Sequence, residues 1–286
     1  MMIRVFAILL LTCTGLLAEA APLNVITYNI RYDAGGDKGP RDWQQRKDQV
    51  TGYLLKNKAS IIGLQEVLHR QLLDIDKALP NHAYVGVGRD DGKTRGEYSP
   101  IFYDQKVWKL DPDEHGTFWL SDTPKAVNSR TWGNGISRIC TWARLIGENG
   151  KALYVYNTHW DHRSQPSRIK AGALILKTLK ARTHQNEPFI LMGDFNATTE
   201  NLAVKQLLES GMLTDPCKKQ CVTFCGWKAG LAPGLRIDHI FTSVSIKKAN
   251  AEVQSNDDGK GHSASDHHPV LLTMLPPPLA DAGKQR

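Results

Sequence analysis

Six stretches of this 286-residue chain end an apolar run abruptly on a carboxylate, an amide or an imidazole. They are "TYNI" with Asn29, "GLQEV" with Glu66, "YNTHWDH" with Asn157, His159, Asp161 and His162, "GDFN" with Asp194 and Asn196, "RIDHIF" with Asp238 and His239, and "SDHHPV" with Asp266 and His267. Ionised carboxylates at the ends of buried strands are costly unless protons, donors or a metal meet them. Asn, Asp and Glu are hard oxygen donors suited to Mg²⁺, Mn²⁺ or Ca²⁺. Histidines beside them can act as general acid, general base or donor to an anionic oxygen. In extended chain a period of two puts Asp194 and Asn196 on one face, and Asn157 and His159 likewise.

Each piece taken alone has a plainer reading. Asp-x-Asn after a strand is commonly a turn or a helix cap. Asn196-Ala197-Thr198 matches a glycosylation acceptor, Glu66 could cap a helix, and of His267 and His268 one could be a surface residue. His159 and His162 could mark zinc, but no thiolate lies nearby and oxygen donors dominate. What singles the six out is their joint presence.

The elements that must position them are legible from periodicity. Leu23 to Ile30 alternates as a strand, and "IIGLQEV" reads as a second buried one. Between them Val50, Tyr53 and Leu54 recur at helical spacing, and a short helix from about Gln71 to Ala78 stops before Pro80. The middle is strand-rich: "AYVGVGR", "SPIFYDQKVWKL", "GTFWL", "ICTWARLIG" and "ALYVYNTHW". A helix over Arg168 to Ala181, the strand "PFILMGDFN", a short helix in "ENLAVKQLLESG" and the strands "RIDHIFTSV" and "HHPVLLTML" complete the pattern. Many strands with few helices imply an α+β sandwich whose helices lie outside two stacked sheets.

"MMIRVFAILLLTCTGLLAEA" joins one basic residue, an apolar core and a small-x-small site, which reads as a secretory signal over residues 1–20 cleaved near Ala20. Cys13 raises the alternative of a lipid anchor, but its surroundings make a poor attachment box. Export would place the protein outside the cell or in a periplasm. Residues 21–275 then form one catalytic domain, and the proline-rich segment from Pro276 to Arg286 is expected to be a flexible tail. Arg4 and Glu19 cancel, so losing the leader keeps the formal charge of +7. That balance is compatible with a polyanionic partner without establishing one. Cys140, Cys217, Cys221 and Cys225 make an even set, for which a local disulfide is expected and a zinc knuckle is the alternative.

The ordered motifs "NVITYNIR", "GLQEV", "NTHWDHR", "LMGDFNA", "RIDHIF" and "SASDHHPV" resemble the endonuclease/exonuclease/phosphatase superfamily, with its DNase I-like fold, across nearly the whole mature chain. The stretches "GEYSPIFYD", "GTFWLSDTP" and "SRICTWARL" resemble its secreted bacterial branch, itself similar to the deadenylase and nocturnin group. The resemblance implies a four-layered α/β/β/α sandwich and hydrolysis of phosphoesters with Mg²⁺, Mn²⁺ or Ca²⁺. It implies Glu66 as the principal metal ligand with Asn29 beside it, and Asp266 among the metal-facing carboxylates. Asp194 and Asn196 would hold the attacking water and the phosphate, Asp194 serving as base or as ligand to a second metal. His159 would contact the scissile phosphate or help protonate the leaving oxygen. His267, oriented by Asp266, would stabilise phosphoryl oxygens, with Asp238 supporting it. Arg138, His162, Arg163 and Arg168 are candidates for substrate recognition.

A phosphodiester repels hydroxide, so cationic stabilisation and an oriented water serve better than a protein nucleophile. A phosphodiesterase or nuclease is therefore the leading expectation, with phosphomonoesters, phospholipid head groups and sugar phosphodiesters as alternatives. Nucleic acid fits the charge, yet the chain has no long Lys/Arg block or basic-aromatic module. A binding module without chemistry is disfavoured, because every polar member of the constellation is present. No stable protein partner is implied, and a monomer is expected.

Overall fold

The computed structural model describes residues 22–148 and 150–276. The leader and the tail beyond Pro276 lie outside the described residues. Two six-stranded mixed sheets stack face to face. The first runs β11 (Ala249–Val253), β12 (Val270–Met274), β1 (Leu23–Asn29), β2 (Ile61–Gln65), β4 (Ile101–Asp104) and β3 (His82–Val85). The second runs β5 (Trp108–Trp119), β6 (Ile139–Gly147), β7 (Ala152–His159), β8 (Phe189–Asp194), β10 (Asp238–Ser243) and β9 (Leu213–Thr214).

Alternation along the strands sorts side chains into three apolar layers. Val25, Ile61, Val155, Ile190, Ile240 and Val270 meet between the sheets. Their neighbours Ile26, Ile62 and Leu271 face outward to α1 (Trp43–Lys56) and α2 (His69–Ala78). Tyr156, Leu191 and Phe241 face the other way, to α3 (Gln165–Lys180) and α4 (Leu202–Leu208). The result is the expected four-layered α/β/β/α sandwich of the DNase I-like kind. Among the described residues no helix is long and apolar enough to cross a membrane.

Local differences have local causes. The third helix starts at Gln165 rather than Arg168, because the Ser164 side chain accepts from Ser167 N and Pro166 suits the first turn. "SPIFYDQKVWKL" is two strands, broken where Asp104 Oδ1 accepts from Lys106 N in a turn, and the second continues through "GTFWL" to Trp119. Asn157 does not enter the site: its amide donates to Leu64 O and Pro100 O, each at 2.8 Å, and its oxygen accepts from Gln65 Nε2 at 2.6 Å. It clamps the two sheets together.

The expected disulfide is not formed: Cys140, Cys217, Cys221 and Cys225 are all free. Cys140 lies in the layer under the third and fourth helices, whereas Cys217 and Cys221 lie between the sheets. Nor do the three clustered cysteines gather as a metal site; among the described residues only Asp194, Asp238 and His267 form such a group. His268, one half of the His-His pair, is buried rather than a surface residue, and its Nε2 meets Gly230 O at 3.1 Å.

Candidate active site

Strand register assembles the centre. In the second sheet β7 runs parallel to β8 and pairs His159 with Asp194, while antiparallel β10 pairs Asp238 with the same Asp194. Three chemical side chains thus share one rung. The close approach of β7 to β8 depends on Gly193, at φ +147°, where a Cβ would fall 2.0 Å from Thr158 O. In the first sheet β1 runs parallel to β2 and pairs Asn29 with Gln65, so Glu66 emerges one residue later, just beyond the sheet. Glu66 adopts φ +60°, a conformation that ordinary residues avoid and that recurs at functional sites.

Asn29 joins the two sheets. Its Nδ2 donates to Glu66 Oε1 at 3.1 Å and to Asp194 Oδ2 at 3.0 Å, and its Oδ1 accepts from Arg31 N. Tyr32 N donates to the other Glu66 oxygen. Asn196, just past the strand at φ +46°, donates from its backbone to Asp194 Oδ1 and from its amide to Trp160 O. Asp194 and Asn196 line the same cavity, of about 490 Å³, together with Glu66, His159, Asp266 and His267.

His267 is oriented by Asp238 and not by Asp266. Its Nδ1 lies 2.9 Å from Asp238 Oδ2, which leaves Nε2 toward Asp194 at 3.8 Å. The reason is register: Asp238 sits inside the second sheet facing the ring, whereas Asp266, one residue before His267 in the loop, lies toward Glu66 and Arg31.

The two histidines differ in charge. Burial lowers the His159 pKa well below its usual value, and Arg138 and Arg89 lower it further, so its ring is neutral. Burial works against charge on His267 as well, but Asp238, Asp194 and Asp266 outweigh it and hold the ring protonated, well above the usual histidine range. Asp194 is pushed up to about 7 by burial and by Asp238. Environments that drive neighbouring titratable groups apart are the mark of an acid–base pair.

The remaining candidates divide. Arg138, His162 and Arg163 line the cavity; Arg168 does not. Its guanidinium is tied to Asp161 O and Gln165 Oε1, bracing the loop before the third helix. Sequence reading missed Arg31, Arg89, Glu97 and Phe224 in the cavity wall. Glu97 and Arg89 had a signal, a charged residue beside each of two apolar strands, but it lacked the abrupt strand-end placement that drew attention elsewhere.

The donor set suits a hard divalent cation. Glu66 and Asp266 offer carboxylates on one side of the cavity, and on the other the ligand atoms of Asp194, Asp238 and His267 lie within 4.8 Å of one another. Asp238 Oδ1 is buried without a partner, and such an orphaned oxygen is expensive without a cation or donor. A protonated His267 is a donor and not a ligand, so the Glu66 side is better matched to a resident ion.

Residues 26–267 match the Endonuclease/Exonuclease/phosphatase family. Among solved structures, the chain is similar to an endonuclease/exonuclease/phosphatase family protein from Bacteroides thetaiotaomicron, with 32% identity over 90% of this chain and 98% of that one and a TM-score of 0.82. A mannosyl-6-phosphatase of the same organism is 32% identical over 87% of this chain and 98% of its own, with a TM-score of 0.78. The human nocturnin catalytic domain, at 17% identity, shares the fold over 88% of this chain and 93% of that one, with a TM-score of 0.65. No curated protein matches the chain.

Proposed function

The chain belongs to the endonuclease/exonuclease/phosphatase family, and we propose that within it this protein is a divalent-metal-dependent phosphoesterase acting on the phosphate of a small phosphorylated molecule. The carrying observation is the pairing of a neutral His159 with a charged His267 on either side of Asp194 in one cavity. A bound Mg²⁺ or Mn²⁺, with Ca²⁺ as a weaker alternative, held by Glu66 with Asp266, would supply positive charge to the phosphate oxygens.

The protein's own groups account for the proton movements. Asn29 and Asn196 fix the Asp194 carboxylate, whose pKa of about 7 suits it to take a proton from an attacking water. The water oxygen bonds to phosphorus as the phosphorus–ester oxygen bond breaks. His267, charged and held by Asp238, donates its Nε2 proton to the departing oxygen or a hydrogen bond to a phosphoryl oxygen. His159 is neutral, so the acid role passes from it to His267.

Similarity to a mannosyl-6-phosphatase and the convergence of Arg31, Arg89, Arg138 and Arg163 on one concave cavity support a small substrate over an extended polyanion. The second reading is a phosphodiesterase or nuclease. It is favoured by the half-exposed Phe224, whose ring stands edge-on to His267 and offers a stacking face. Purified protein assayed with Mg²⁺, Mn²⁺ or chelator against mannose 6-phosphate, p-nitrophenyl phosphate, bis-p-nitrophenyl phosphate and single-stranded DNA decides between them. Turnover unaffected by chelator, or none with any ester, would sink the proposal. Export through the 1–20 leader is inferred from sequence. Mass spectrometry of the secreted or periplasmic protein should find Ala21 at the N-terminus, and recovery of only the uncleaved chain from cytoplasm would refute it.

A further inference from the structure

One wall of the cavity carries two neighbouring arginines, Arg89 and Arg138. Arg89 is paired, its Nη1 and Nη2 donating to the two Glu97 oxygens at 2.8 and 2.6 Å. Arg138 stands beside this pair, is only 4% exposed, and among the described residues has no carboxylate within ion-pair distance, Glu97, Asp194 and Asp161 acting on it from further off. Its Nη2 meets His162 Nδ1 at 3.0 Å, while Nε and Nη1 are buried without acceptors. The neighbouring His159 is neutral. Arg138 thus makes no direct ion pair, and a buried arginine with idle N–H groups is costly unless an acceptor comes to it.

Such an acceptor has a position. Arg138 lines the same cavity as Asp194 and His267. Behind it, the space between Glu97, Tyr98, Ser99 and Ile139 has no room for a water molecule. The partly exposed Ile136 and Phe224 also line the cavity.

We propose that Arg138 binds an unsubstituted oxygen of a terminal phosphate, so that the site selects phosphomonoesters over internal phosphodiesters. The proposal rests on the phosphoesterase reading above and narrows it. A monoester brings about two negative charges and three free oxygens, enough to engage the His267 side and Arg138 together. A diester brings one charge and two free oxygens, and a second ester chain directed at Arg138 would meet the space beside it that admits no water molecule. Both Glu97 oxygens are already taken by Arg89, so Arg138 is not the direct partner of that carboxylate.

The first test uses the wild-type protein with Mn²⁺. Inorganic phosphate should inhibit at least about 10-fold more tightly than dimethyl phosphate, in keeping with an added charge-assisted contact. Equal inhibition overturns the proposal. In the second, Arg138→Met should lower kcat/KM for p-nitrophenyl phosphate by about 10²-fold. It should also cut the monoester-to-diester ratio, measured against bis-p-nitrophenyl phosphate, by at least about 10-fold, with partial recovery in Arg138→Lys. A parallel loss on both esters, or no loss, overturns it. If the methionine variant does not fold, by circular dichroism, the inhibitor comparison decides alone. Wild-type protein that cleaves neither ester with Mg²⁺, Mn²⁺ or Ca²⁺ refutes the phosphoesterase reading itself, and with it this narrower one; wild-type turnover with an unchanged ratio in the variant refutes only the role of Arg138.

Discussion

Asp238 Oδ2 lies 2.9 Å from Nδ1 of His267, with both side chains buried between the sheet end and the loop that follows residue 264. The carboxylate holds one ring proton and leaves the other facing the cavity, the arrangement an acid needs. Asp238→Asn keeps the shape but removes the charge that keeps His267 protonated. Its kcat should fall by about 10²-fold or more, with KM within a few-fold. Steady-state kinetics check this, and a variant retaining a third of wild-type turnover would remove Asp238 from the acid's support.

Asp194 trades stability for chemistry. Its folded pKa of about 7 lies above the unfolded value, so its contribution is fully present in acid and is lost as pH rises from near 4 through 7. Asp194→Asn in chelator should match wild type in Tm near pH 4 and exceed it by at least about 4 °C above pH 7, while losing turnover. Thermal melts across that range test the sign. A variant that is less stable at pH 8 would contradict it.

Glu66 is held by Asn29 and Tyr32 N in a strained conformation, so its place is set before any ion arrives. Glu66→Gln keeps the volume and removes the charge. Mn²⁺ should raise the Tm of wild type by an amount that grows with ion concentration, and raise that of the variant little. Chelator should abolish wild-type turnover and readdition restore it. An equal Mn²⁺-dependent shift in the two proteins would place the ion elsewhere.

Arg46 fastens the two loops that carry the site. Its guanidinium donates to Ile30 O, to Arg31 O at 2.7 Å and to Ala264 O at 3.1 Å, and its Nε donates to Arg41 O at 2.9 Å. Arg46→Met leaves those carbonyls, two of them buried, without their donor and should cost about 3–5 kcal/mol in urea unfolding. Arg46→Lys should recover less than half, since one ammonium cannot span four carbonyls. A methionine variant within about 1 kcal/mol of wild type would show that the loops hold themselves.

The strand-end rule found Asn29, Glu66, His159, Asp194, Asp238 and His267 because each breaks an apolar alternation, a purely local signal. The same rule failed at Asn157, whose side chain points between the sheets. It could not tell Asp238 from Asp266 as the partner of His267, because adjacency in sequence suggested one and strand pairing supplied the other. Arg168 shows the converse: a basic residue near the motif, but turned by its helix toward Gln165 and Asp161.

From the sequence alone came the alternation that defines two buried sheets, the helical spacings that cover them, and the residue types fit for a hard cation and a phosphate. These are legible because hydrophobic period and donor chemistry are properties of neighbouring residues. Only the tertiary structure decided which histidine is charged, which carboxylate orients it, and that Arg138 is buried with two unpaired nitrogens. Those properties depend on burial and on charges brought close by strand register from more than a hundred residues away, as Asn29 is brought to Asp194.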